Sequence, residues 1–408
     1  MLESLSSKLR NLGPGILMAT AAVGGSHLVA ATQAGALFGW QLLWLVVAVN
    51  LLKYPFFRFG VEYTLHTGNS LVTGYYNKNR ALFYLFVTLN VIAAVVNTAG
   101  VLLLTAALLQ YALPWSLSLT TLCYALLFVC LGILLFGHYK LLDKASKGIM
   151  AILCFTTLAA LLVAVSQGQA HPSPQPIPSP YSLALLGFMV ALMGWMPAPI
   201  EISAINSLWL KAKTRTQSLS KAQGLFDFNL GYFLTLFLAV VFFSLGVLLQ
   251  YGQSQKIELA GVAFSKQLID MYALTLGEWA RWLIATIAFL CMFGTTITVL
   301  DGYARTLDDA LKLIKPHQNK ASLSIFITVQ AIFGMVLVLF FKANLKDMLM
   351  FAMTLAFLTT PFFAWLNFSL ISKTQFAQQS KPVQLLTWAG LTYLIAFAAL
   401  FVVWRWIL

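Results

Sequence analysis

The sequence contains few charged residues, and this scarcity excludes an ordinary soluble domain. Charged residues account for 9% of the 408 residues and hydrophobic residues for 60%. Soluble domains are about one quarter charged, so a soluble fold of this composition would leave much of its apolar surface in water. Apolar runs of about 20 residues, the length that crosses a bilayer, recur along the whole chain. The composition therefore predicts one all-α polytopic membrane domain over residues 1–408.

Cysteines and catalytic motifs are equally scarce. The four cysteines lie inside apolar runs and form no CxxC pair, so neither a disulfide framework nor a zinc site is predicted. The sequence has no HExxH or GxSxG motif, which argues against an intramembrane enzyme. We therefore expect a protein that is not an enzyme and that holds no resident cofactor.

No cleavable signal peptide is visible, because the first apolar run begins at Leu12 and continues into a full span. The apolar runs predict about eleven transmembrane helices. These lie at roughly 13–38, 41–60, 81–111, 115–137, 147–166, 181–209, 224–250, 277–302, 322–341, 346–371 and 384–405.

The basic residues predict the orientation of the chain. With the N-terminus in the cytoplasm, most of the 25 Lys and Arg residues fall in cytoplasmic segments. This bias accounts for the net charge of +13 without a nucleic-acid partner, for which no binding motif is present. Glu62 and His66 are expected to form interfacial pairs with Lys53 and Arg58 at the cytoplasmic end of the second span. The prediction is a multi-pass inner-membrane protein with its C-terminus outside.

The order of the spans predicts an internal repeat. Five spans, about 13–166, precede a proline-rich connector at about 167–180, and five more, about 181–371, follow it before a final helix at about 384–405. Because five is odd, the second set starts on the opposite face of the membrane, which makes the two sets an inverted repeat. Inverted repeats are common in secondary transporters.

The first span of each half is interrupted by residues that disfavour a regular helix. Gly24, Gly25, Ser26 and His27 lie at mid-depth in the first span, and the sixth span contains the run Met196–Glu201 with two prolines. Proline removes a backbone donor and clashes with the preceding turn, so the helix is expected to open. Interrupted helices at equivalent places indicate a solute site at the membrane midplane. Alternatively, the glycines serve close helix packing and the prolines form a kink without a ligand.

Ionisable residues inside the membrane are the candidate functional groups, because a buried charge is costly without a partner or a role. Glu201 is predicted to hold a cation, to carry a coupling proton or to close a gate. His27 is predicted to accept a proton or bind a metal. Asp227, a third candidate for proton coupling, is expected to cap the start of the seventh span. Structural ion pairing of Glu201 and packing of His27 are the alternatives.

Two groups of residues carry a resemblance to a known family. Gly13-Pro14-Gly15 and the run QAGALFGW that begins at Gln33 resemble the first span of the natural-resistance-associated macrophage protein (Nramp) family. Met196-Pro197 resembles the unwound sixth helix of the same family. The resemblance implies a leucine-transporter-type fold of two inverted five-helix repeats and one extra helix. It also implies proton-coupled uptake of divalent metal cations.

The resemblance further implies where the metal site lies and how it differs here. Counting back from Gln33, Gly24 to His27 occupy the positions of the family's metal-binding D-P-G-N motif, so Gly24 replaces the Asp and His27 replaces the Asn. Met196 matches the metal-binding methionine, and Met193 would supply a backbone carbonyl. Glu201 is an added negative charge. The candidate passenger site is thus Gly24, Ser26, His27, Met193, Met196 and Glu201, with His27, Met196 and Glu201 as metal ligands.

Loss of the aspartate matters because a desolvated divalent cation needs compensating charge. Three possibilities follow. The first is a rebuilt site in which sulfur and imidazole favour a transition metal. The second is a wider cavity for hydrated magnesium, which loses water reluctantly, without proton coupling. The third is an amino-acid-like organic solute on the same fold.

Overall fold

A computed structural model describes most of the chain in helices. The described residues are 12–113, 117–136, 139–168, 179–217, 219–252, 261–316, 322–341 and 344–406. The N-terminal segment before residue 12 and most of the proline-rich connector lie outside these ranges. Within them, every regular element is helical.

The helices follow one another with short connections. The first part of the chain forms α1 (Pro14–Ala22), a π-helical segment (Ser26–Ala31), α2 (Thr32–Phe38), α3 (Leu43–Thr67), α4 (Leu71–Lys78), α5 (Arg80–Ala112), α6 (Leu119–Phe136) and α7 (Tyr139–Gln167). The second part forms α8 (Leu186–Trp195), α9 (Ile202–Thr216), α10 (Lys221–Gln250), α11 (Gly261–Leu276), α12 (Ala280–Ile314), α13 (Ser322–Phe340), α14 (Leu345–Ser369), α15 (Lys373–Ala377) and α16 (Lys381–Trp406). Short 3-10 turns at Gly39–Leu42 and Leu183–Leu185 precede α3 and α8.

The outer surface of the bundle is apolar, as a lipid-facing surface requires. Phe128 is 81% exposed and Phe340 is 76% exposed, whereas Phe242 and Phe243 are fully buried. Seven helical stretches among the described residues are long and apolar enough to cross a membrane. The chain is therefore an all-α, multi-pass membrane protein.

Glycines bring the interrupted helices close to their neighbours. A Cβ atom on Gly194 of α8 would lie 1.8 Å from the carbonyl oxygen of Met353 in α14. On Gly15 of α1 it would lie 2.1 Å from the carbonyl oxygen of Asp227 in α10. Without these glycines the backbones could not approach so closely, so the two contacts fix α1 and α8 against long helices.

Each of the predicted spans falls on helix, but two features differ from the prediction. The second span, predicted to end near residue 60, continues as α3 to Thr67. The extra helices α4, α11 and α15 were not expected, because they are short or amphipathic and give no long apolar run. The number of spans and their pairing into two halves stay predictions.

Both predicted interruptions are present. The first helix ends at Ala22 and resumes as a π-helix at Ser26. The sixth span ends at Trp195 and resumes at Ile202, and the peptide bond between Met196 and Pro197 is cis. Together these two interruptions place four helix ends inside the protein.

Candidate functional site at the helix breaks

At the first break, neutral side chains bond to the loosened backbone. The Val23 carbonyl accepts from Cys291 Sγ at 3.2 Å and from Thr295 Oγ1 at 3.5 Å. Thr295 Oγ1 also lies 3.2 Å from the Thr20 carbonyl oxygen, and the Ser26 hydroxyl donates to the Ala22 carbonyl at 2.8 Å. The carbonyls at the end of α1 thus find partners without any charged group.

At the second break, a lysine bonds to the loosened backbone. Lys53 of α3 is fully buried, and its Nζ donates to the carbonyls of Met193 at 2.7 Å and Gly194 at 3.0 Å. A third, longer contact of 3.5 Å reaches the carbonyl of Ala198. The last carbonyls of a helix have no partner within it and carry the negative end of its dipole. The ammonium therefore neutralises the C-terminal end of α8.

A small cavity of about 30 Å³ lies between the two breaks. Its polar lining consists of Ser26 of the first break, Asn97 of α5, Trp195 of α8, and Thr295 and Tyr303 of α12. The indole nitrogen of Trp195 is buried and has no hydrogen-bond partner among the described residues. A buried donor of this kind is costly unless a water or a ligand accepts from it.

Glu201 lies at the start of α9, beside this cavity. It is 1% exposed, and its Oε1 accepts from the Tyr303 hydroxyl at 3.1 Å. The same hydroxyl accepts from Asn97 Nδ2 at 2.9 Å. Oε2 has no partner in the part of the chain that is described, and Glu201 interacts electrostatically with Lys53. Glu201 does not line the first cavity itself but is linked to it through Tyr303, and together with Asn97 it lines a second, adjoining cavity between α5 and α14.

Of the other predicted site residues, some line the cavity and others bond to groups outside it. His27 Nε2 lies 2.9 Å from the Thr235 carbonyl oxygen, and Nδ1 lies 2.6 Å from Ser26 Oγ, so the imidazole faces α10. The Met193 carbonyl is bonded to Lys53, and its sulfur accepts from the Tyr393 hydroxyl. Met196 is fully buried. Gly24 and Ser26 line the cavity itself.

Asp227 caps a different helix from the one expected. Helix α10 begins at Lys221 with a capping box of Ser220 and Gln223, so Asp227 lies nearly two turns further in. Its carboxylate accepts from the backbone N–H groups of Gly13 at 3.0 Å and Gly15 at 2.8 Å. It therefore caps α1, where the N-terminal end of the dipole favours negative charge.

The position of Lys53 also differs from the prediction. Arg58 and Glu62 form the expected pair at 2.9 Å, but Lys53 is not part of it, and His66 is exposed. Because α3 runs to Thr67, Lys53 lies near its middle and not at the cytoplasmic end. A lysine within an apolar run, two residues before Pro55, is the sequence signal that was available for this role.

No cluster of three or more His, Cys, Asp or Glu residues that could hold a metal ion occurs within the described ranges. The helix breaks instead offer backbone carbonyls, one carboxylate and neutral polar groups. Secondary transporters bind their solutes in cavities between interrupted helices of a membrane-spanning bundle, so this cavity is the candidate site.

Comparison with known proteins identifies the family. Residues 15–405 match the family described as natural resistance-associated macrophage protein-like. An uncharacterized protein of Pasteurella multocida (strain Pm70) is 50% identical over 402 residues, which is 97% of this chain and 92% of that protein. The chain belongs to the Nramp family, and it is therefore a transporter and not an enzyme.

Solved structures support the fold. A variant of the Eremococcus coleocola manganese transporter aligns with a TM-score of 0.71 at 16% identity, over 95% of this chain and 85% of that one. Mhp1, a nucleobase-cation-symport-1 family transporter in a closed conformation with bromovinylhydantoin bound, aligns with a TM-score of 0.61 at 13% identity, over 96% and 93%. The fold is thus the leucine-transporter type that the resemblance implied.

Proposed function

We propose that this protein is a secondary active transporter whose passenger binds in the cavity between the breaks of α1 and α8. The observation that carries the proposal is the meeting of the two breaks. A Cβ atom on Gly25 would lie 2.6 Å from the Trp195 ring, so the interrupted segments are in direct contact beside the cavity. Alternating access in this fold moves one helix bundle against another around such a site.

The proposed passenger is a divalent metal cation that keeps part of its water shell. Family membership and the manganese transporter among the structural neighbours favour a metal. The charges of the site favour a cation that stays hydrated. The ammonium of Lys53 offsets the carboxylate of Glu201, so the site has little net negative charge to compensate a cation for the water it would lose. Bound water can donate to the unpartnered Oε2 of Glu201, and magnesium and manganese both accept oxygen ligands.

A second candidate is a small organic solute, and the orphan N–H of Trp195 favours it. A metal ion itself cannot accept this hydrogen bond and would leave it to a water molecule, whereas a carboxylate or carbonyl of an organic solute can accept it directly. The aromatic face of Trp195 beside the cavity would also pack against such a molecule.

A thermal-shift screen of the purified protein against Mn²⁺, Mg²⁺ and amino-acid-like solutes separates the two candidates. A ligand that binds only the folded state raises the unfolding midpoint by mass action. We expect stabilisation by a divalent cation in the wild type and in Glu278→Gln, an exposed control, but not in Glu201→Gln. Stabilisation by organic solutes alone would contradict a metal passenger and support the second candidate. If divalent cations stabilise Glu201→Gln as much as the wild type, Glu201 is not part of the site.

Proton coupling, a cytoplasmic N-terminus and an inner-membrane location stay predictions. Uptake measured with and without an imposed pH gradient tests the first. Among the candidates, His27 and Asp227 already bond to backbone groups, whereas Glu201 keeps one oxygen without a described partner. Glu201 is therefore the residue on which the coupling experiment should concentrate.

A further inference from the structure

The second break already contains a cation, and this cation is part of the protein. An ammonium group has three N–H donors and no acceptor. Nζ of Lys53 has three backbone carbonyls within reach, at 2.7, 3.0 and 3.5 Å. All three carbonyls belong to the break or to the last helical turn before it. The single ammonium group therefore donates to the carbonyls that the helix interruption leaves without backbone partners.

In transporters of this fold, unwound carbonyls and the C-terminal ends of half-helices coordinate positively charged ions. The carbonyls of Met193 and Gly194 lie at such an end, because α8 stops at Trp195. We propose that Lys53 is a tethered cation that fills this ion position and thereby determines which passengers the transporter accepts. It keeps a dehydrated cation away from the carbonyls of α8.

The proposal accounts for two further observations. First, a lysine with no exposed surface persists in the bundle because its charge is neutralised from two sides, by the helix end and by Glu201. Second, the carbonyl that the family resemblance assigns to the passenger, that of Met193, is occupied at 2.7 Å. A passenger must then be held by the remaining lining and by Glu201. The inference about Lys53 rests on the proposed function for the location of the site, but not for the identity of the passenger.

Replacement of the ammonium should convert the position into an open ion site. Lys53→Met keeps a long apolar side chain and removes the charge, so the carbonyls are left without a donor. We expect the wild type to unfold at the same temperature when choline chloride is replaced by NaCl at constant ionic strength. Lys53→Met should instead gain a saturable rise in its unfolding midpoint with Na⁺. Lys346→Met, at an exposed position in the first turn of α14, serves as the control and should not respond.

A second variant covers the case in which Lys53→Met does not fold. Lys53→Ala shortens the side chain, and ethylammonium added during purification should restore folded protein, whereas choline, which has no N–H donor, should not. Rescue by ethylammonium and not by choline would show that the position requires a cation with N–H donors and not only a filled volume. The proposal is overturned if a folded Lys53→Met is indifferent to Na⁺, whatever its stability. It is also overturned if neither Na⁺ nor ethylammonium helps a variant that fails to fold.

These measurements are separable from the test of the proposed function. Ion-dependent stability of the Lys53 variants requires no transport and no identified passenger. The wild type could therefore fail to respond to divalent cations in the screen while Lys53→Met still gains a response to Na⁺.

Discussion

The two helix breaks face the same cavity but satisfy their loosened backbone in opposite ways. The first uses hydroxyl and thiol donors, from Thr295 and Cys291, which carry no charge. The second uses the ammonium of Lys53. Neutral donors allow a passenger of any charge to approach the first break, whereas the fixed ammonium at the second break repels a bare cation. We therefore expect only the first break to be open to direct ligation by a metal.

The largest expected effect comes from adding a methyl group at Gly194, where the backbones of α8 and α14 come closest at the second break. Gly194→Ala places a methyl group 1.8 Å from the Met353 carbonyl oxygen, which belongs to the backbone of a long helix and cannot move aside. Overpacking of this kind costs about 1–3 kcal/mol or more, so we expect little folded protein in size-exclusion chromatography.

Gly24→Ala is the matched change at the first break. Its methyl group would meet Met292 Sδ and Thr295 Oγ1, both at 3.2 Å, and both side chains can shift. We expect a folded protein with weakened uptake, because the cavity wall moves. A Gly24→Ala variant that unfolds as readily as Gly194→Ala would show that the two breaks are packed alike.

A smaller effect is expected where a carboxylate holds the helix that leads into the first break. Asp227→Asn keeps the shape of the side chain but removes a charge that accepts from Gly13 and Gly15. Hydrogen bonds to charged groups contribute about 1.5–3 kcal/mol, so the unfolding midpoint should fall by several degrees. An unchanged midpoint would mean that α1 is positioned by its glycine contacts alone.

Loss of one neutral donor at the first break should cost still less. Thr295→Val preserves the volume and removes one hydroxyl donor, whose single proton is shared among the carbonyls of Thr20, Val23 and Cys291; Cys291 Sγ remains as a donor to Val23. A typical neutral hydrogen bond contributes about 0.5–1.5 kcal/mol. Chemical denaturation should detect a loss in this range, clearly below that of Lys53→Met in the absence of Na⁺. If Thr295→Val lost as much free energy of unfolding as Lys53→Met, the first break would depend on its neutral donor as strongly as the second depends on its ammonium, and the proposed contrast between the breaks would be wrong.

The smallest effect is expected at an exposed ion pair far from either break. Hydrogen bonds from Arg281 lower the pKa of the Glu278 carboxyl below its usual 4.5. A lowered pKa in the folded state means that the pair stabilises above the unfolded pKa and that this contribution is lost as pH falls through the folded value. Because Glu278 is solvent-exposed, the difference between wild type and Glu278→Gln should be barely measurable at neutral pH and vanish at low pH. A clear difference at neutral pH would contradict this.

Several features of the fold could be predicted from local sequence because each depends on a short stretch of chain. The long apolar runs predict the spans, and Pro197 and Pro199 predict the second break, since a missing donor interrupts a helix wherever it lies. Residues 24–27 predict the first break for a related reason, through their glycines.

The partners of the buried charges could not be predicted in the same way. Lys53 lies 140 residues from Met193 along the chain, and Asp227 lies 214 residues from Gly13, so both contacts depend on how the helices pack. The predicted end of α3 was two turns too early, and this error placed Lys53 at the end of the helix when it lies near the middle. The orientation of His27 toward Thr235 likewise follows from the rotation of the π-helical segment, which its sequence does not reveal.

In the proposed transport route, a passenger crosses the membrane through the cavity between the breaks, with Glu201 as its charged contact. The sharpest test is uptake of Mn²⁺ and Mg²⁺ into proteoliposomes, measured side by side for the wild type, Glu201→Gln and Glu278→Gln. We expect saturable uptake by the wild type and by Glu278→Gln, and loss of uptake in a folded Glu201→Gln. Uptake by Glu201→Gln at the wild-type rate and affinity would contradict it.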